Sequence, residues 1–159
     1  MAKFEKIRTD AIIEKNKTVL KAHELKDAGE CLKEKADKTK EGISRIPNDL
    51  PDEMKQQIDV ICQNALADLK AESNRLVSEA QEARAYADES REKMILEASK
   101  LKKQGDQVSR LRNVPLIGKF AEVKGDELKD HGEQMFDLAK ETLEYSDELA
   151  DIEISIRGI

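Results

Sequence analysis

From Asp52 to Gln104 the chain contains neither proline nor glycine. A run of 53 residues without either breaker leaves no expected turn. Tryptophan is absent, and aromatics make up 3% of the 159 residues. So few rings exclude an aromatic-rich core and leave no stacking platform for nucleic acid. No apolar run approaches the ~20 residues that cross a bilayer. Met1 to Leu20 lacks the continuous apolar stretch of a secretory signal. The chain is therefore expected to be cytoplasmic, with signal-peptide-independent export left open. The two cysteines, Cys31 and Cys62, form no CxxC or other zinc spacing. A helical di-iron site needs Glu three residues before each histidine, but Leu20 and Leu128 precede His23 and His131. His131, beside Asp130, is expected to be an exposed helix residue. Walker, dinucleotide-binding and nucleophile-elbow motifs are also missing. The chain thus reads as non-enzymatic, with no catalytic, cofactor or metal site expected.

Charge is what the chain has in abundance: 39% of residues, against about a quarter in ordinary domains. Such a composition fits either disorder or long helices. Apolar periodicity favours helices. Phe4, Ile7 and Ala11, then Leu25, Ala28, Leu32 and Ala36, recur at spacings of three and four, predicting a helix over 4–40. Gly42 and Pro47 suit its end and a connector over 41–51. Met54 to Val108 repeats every 3.6 residues, predicting a second helix over 51–112, about 90 Å long. A globule of this chain length would be only about 40 Å across. The third helix is expected over 119–152. The fold class is all-α: an elongated antiparallel three-helix arrangement, with coiled-coil-like hairpins and one very long central helix, forming a single domain over 1–159.

The third helix carries small residues seven apart: Gly118, Gly125, Gly132, Ala139 and Ser146. Three positions after each stand Ala121, Leu128, Met135, Thr142 and Leu149, a heptad with one small core position. Glycine within a helix costs about 1 kcal/mol against alanine, which close helix approach would offset. An antiparallel turn near residue 115 sets Gly125 against Gly105 and Gly132 against Ala98. A turn near 47 sets Gly29 against Ala65, with Cys31 near Cys62; whether those cysteines are bridged stays open. On this register only residues 78–90 of the central helix are flanked by both neighbours. The end hairpins then leave apolar faces uncovered, the usual mark of a partner site. Candidate partner contacts are Leu25, Leu32, Ile58 and Ile61 in the first hairpin. In the second they are Leu101, Val108, Leu128 and Met135, with Leu116, Ile117 and Phe120 at its tip.

Charge is unevenly distributed: residues 1–46 are net +3, 47–114 net −2 and 115–159 net −7. The first and third segments would attract if packed together. Residues 100–124 hold seven basic and two acidic side chains around the apolar tip. That tip either folds back on the hairpin or contacts an anionic membrane or acidic partner. Asp151 to Arg157 alternates apolar and polar, as a frayed helix end or a short strand.

The Leu116-Ile117-Gly118 turn between two long helices resembles the Leu-x-Gly and Trp-x-Gly helical proteins of type VII secretion. The match spans residues 51–159 and departs from that family's Tyr-x-x-x-Asp/Glu signal, since Leu149 follows Tyr145 at that spacing. The resemblance implies a hairpin that pairs with partner helices, as an export substrate or targeting adaptor. The residues themselves predict a protein-interaction module whose partner is another helical protein or a second copy, not nucleic acid. The alternative is a peripheral membrane-surface binder using the basic apolar tip.

Overall fold

The computed structural model describes residues 2–159. The fold is all-α, with no strand among the described residues. Helix α1 spans Ala2–Ser44, α2 spans Asp52–Ser109, a 3-10 turn η1 spans Arg110–Asn113, and α3 spans Gly118–Arg157. The 58-residue α2 includes the whole Asp52–Gln104 stretch. Asp52 and Glu53 lie in its first turn, where carboxylates meet the positive end of the helix dipole.

Three helix ends differ from expectation, the first being that of α2, which stops at Ser109 and gives way to the 3-10 turn instead of running to 112. Helix α1 runs through Gly42, where a Cβ would meet open space, and stops at Ser44. Nothing at Gly42 forces an early end. Helix α3 continues five residues beyond 152, so Asp151 to Arg157 is regular helix. Ile152 and Ile156, one turn apart, are buried while Ile154 is exposed. The period-two pattern is thus three isoleucines of which the helical period buries two.

The chain divides into two compact units. One comprises the residues up to Leu20 together with Arg84–Asp147; the other comprises Lys21–Ala83 and Glu148–Ile159. In the first unit, α1 packs on α3 as well as on α2. The Phe4 ring stacks on the His131 ring at 3.7 Å, and Lys15 pairs with Glu141 at 2.9 Å. Phe4, Ala11, Met94, Ala98, Leu101, Met135, Leu138 and Ala139 form one buried cluster. His131 is therefore mostly covered rather than exposed, because α1 reaches it. The sequence register omitted that α1–α3 contact, and it carries three-helix packing beyond residue 90.

In the second unit the α1–α2 register also differs. Lys35 pairs with Glu72 and Lys21 with Glu79, where the expected register set Asp59 and Ser73 opposite them. Gly29 consequently faces Ile156 of α3 rather than Ala65, with its Cβ direction 3.2 Å from the isoleucine side chain. The Ser73 hydroxyl donates to the Ile156 carbonyl at 3.3 Å, so α3 flanks α2 below residue 78. The physical reason is the connector: residues 45–51 are an open segment, not a tight turn about residue 47. Cys31 and Cys62 are both free thiols.

Candidate functional site

Within the first unit, α2 and α3 approach backbone to backbone along the small-residue heptad. A Cβ on Gly105 would lie 2.9 Å from the Gly125 carbonyl oxygen, and one on Gly125 would lie 3.0 Å from the Gly105 oxygen. A Cβ on Gly132 would lie 3.1 Å from the Ala98 oxygen. These distances are below ordinary van der Waals contact, so only hydrogen fits there. Further along, Ala139 is buried, and the buried Ser146 hydroxyl is hydrogen-bonded to the Asp88 carboxylate at 2.9 Å. Thr142 lies between them, its hydroxyl donating to the Leu138 carbonyl at 2.8 Å and sitting 3.5 Å from Met94 Sδ. In the second unit, Ala65 is half-buried.

The partner-contact candidates separate into two groups. Leu25 and Leu32 are buried within the second unit, and Leu101 and Met135 within the first. The chain's own three-helix packing occupies these four, because the helices overlap further than the sequence register allowed. Leu128 and Val108 are half-buried, as is Ile58. Ile61 is exposed, with Met54, Val60 and Leu66, on the part of α2 that precedes the Lys35–Glu72 pair.

The tip residues form the second group. Leu116 is fully exposed at 105% of its reference area, Phe120 is 73% exposed and Ile117 is 45% exposed. Leu111, Val114 and Val123 are exposed beside them. The tip does not fold back on the hairpin. Its backbone explains why. Residue 113 ends η1, and Val114 N–H donates to the Leu111 carbonyl while Gly118 N–H donates to the Val114 carbonyl. Leu116 is held at φ 74°, a left-handed conformation unusual for leucine. A Cβ on Gly118 would overlap the Arg112 carbonyl group, so glycine is required where the chain turns into α3. Leu111 and Val123 escaped the sequence reading. Val123 follows Phe120 by one turn and lies off the buried 118-125-132 row, and that spacing could have identified it.

Cations surround this apolar group. Lys100, Lys124 and Lys129 pair with Glu97, Glu127 and Asp106 at 3.7, 3.6 and 3.3 Å. Lys102 lies 5.0 Å over the Phe136 ring. Lys103, Arg110, Arg112 and Lys119 are exposed and join no ion pair among the described residues.

Among the described residues, no three His, Cys, Asp or Glu side chains gather to hold a metal ion. None of the described helices is long and apolar enough to cross a membrane. Comparison with protein-family models, curated proteins and solved structures finds no match for this chain.

Proposed function

We propose that the chain is a non-enzymatic helical interaction module whose contact surface is the α2–α3 tip. The observation that carries this reading is the exposure of six large apolar side chains within thirteen residues, Leu111 to Val123. Scattered exposed leucines are ordinary, but a contiguous group marks a surface covered in use. The small-residue packing below it supports the same reading, because it fixes α2 and α3 and so presents the tip rigidly. The Leu116-Ile117-Gly118 turn, which carries the resemblance to secretion-associated helical proteins, lies within this surface. A targeting or adaptor role in a helical complex fits that position.

A photo-crosslinking residue placed at Phe120 tests the reading in cells of the source organism, with one at Glu133, exposed away from the tip, as control. A discrete lipid or protein adduct is expected from Phe120 alone. Equal yields from both positions would remove the tip as the contact surface.

A further inference from the structure

We propose that the α2–α3 tip docks on an anionic phospholipid surface. Leu116, Ile117 and Phe120 would enter the boundary between headgroups and acyl chains, with Arg110, Arg112 and Lys119 against lipid phosphates and carboxylates. This deepens, and depends on, the assignment of the tip as the contact surface.

Charge complementarity identifies the occupant. Residues 100–124 are net +5 in a chain of net −6, which leaves −11 on the remaining residues. Outside the tip only residues 1–46 share its sign, at net +3, and they lack its concentration of charge, so an anionic surface attracts the tip most strongly and repels the remainder on balance. Of the four exposed cations that form no ion pair among the described residues, Arg110, Arg112 and Lys119 lie within about ten residues of the exposed Leu116 and Phe120. An exposed apolar group flanked by Lys and Arg is the combination that binds in the interfacial plane of a bilayer. Leu116 meets that requirement: it sits at a left-handed φ and is fully exposed, so none of its apolar surface is used in the chain's own packing. A second copy would bring the same +5 tip, so tip-to-tip association is opposed by like charge. An acidic groove on another protein is the remaining competitor.

Vesicle flotation of the full chain separates these outcomes. The chain should float with phosphatidylcholine vesicles containing phosphatidylserine, not with phosphatidylcholine alone, and high salt should release it. Phe120→Ser should weaken binding about tenfold or more, the scale of losing one inserted aromatic side chain. The double variant Arg112→Glu/Lys119→Glu should abolish it. Both changes fall on exposed residues, so circular dichroism should show native helicity and melting. Absence of binding to phosphatidylserine vesicles, or undiminished binding by Phe120→Ser, would overturn the proposal. If the chain ignores vesicles while the Phe120 crosslink captures a discrete protein, lipid docking falls and the tip remains the contact surface. If neither occurs, both readings fall.

Discussion

At Leu116 the backbone has φ 74°, and the residue is fully exposed. A leucine in the left-handed region costs roughly 1 kcal/mol that glycine avoids. No burial in the free chain offsets that cost. Leu116→Gly is therefore expected to leave stability unchanged or raise it by up to about 1 kcal/mol, read by chemical denaturation, while weakening docking at the tip. A loss of stability would mean that the leucine packs internally. Two residues on, Gly118 behaves oppositely. Any Cβ there overlaps the Arg112 carbonyl, so Gly118→Ala must shift the η1–α3 junction. It should lower stability by about 1–3 kcal/mol, the range for forced overpacking, in the same denaturation assay. The sequence made the Leu-x-Gly turn visible but not the sign of either effect, because backbone φ and carbonyl position are set by how η1 meets α3.

The α2–α3 pairing was legible because glycine leaves an unusual trace. A glycine every seven residues inside a charged helix has a cost, and close approach is the physical compensation. The contacts of Gly105 with Gly125 and of Gly132 with Ala98 have that form. The α1–α2 register was not legible. It rests on a turn centred near residue 47, from which the pairing of Gly29 with Ala65 follows, whereas residues 45–51 form an open connector and α1 also packs on α3. Nor could composition reveal that Leu25, Leu32, Leu101 and Met135 face the chain's own helices, since an apolar stripe looks alike whether its partner is internal or external. Gly132→Leu probes the legible pairing. Its Cβ would meet Lys102 Cγ at 2.8 Å and the Ala98 carbonyl at 3.1 Å, and the larger side chain must part the helices. The circular-dichroism midpoint should fall, by about 1–3 kcal/mol of stability; an unchanged melt would mean that α2 and α3 do not pack closely. Ile156→Ala probes the part the sequence left open. Ile156 is 1% exposed and abuts Gly29, so truncation should cost about 2–5 kcal/mol. A cost near zero would indicate that the last turn of α3 is frayed.

Across the whole chain, the +3 first segment and −7 third segment suggested that charge orders the helices. The ion pairs show that little of this attraction takes the form of direct contact. Among the described residues, Lys15–Glu141, Lys21–Glu79, Lys35–Glu72 and Lys129–Asp106 join different helices, and only Lys15–Glu141 joins α1 to α3. Others, such as Arg75–Glu79 and Lys93–Glu89, lie along one helix. All four interhelical pairs are at least partly exposed, and such pairs contribute about 0–1 kcal/mol each. Salt would weaken them, but it would also screen the self-repulsion of a chain at net −6, an effect of opposite sign. Burial of residues such as Leu76, Met94, Met135 and Leu149 is little affected by moderate salt. The thermal midpoint is therefore expected to move by no more than about 5 °C between dilute buffer and roughly molar sodium chloride, followed by circular dichroism. The same step in salt should release the tip from anionic vesicles, where the free cations face lipid charge across solvent. A large fall in midpoint would mean that charge pairing, not apolar burial, holds the three helices together.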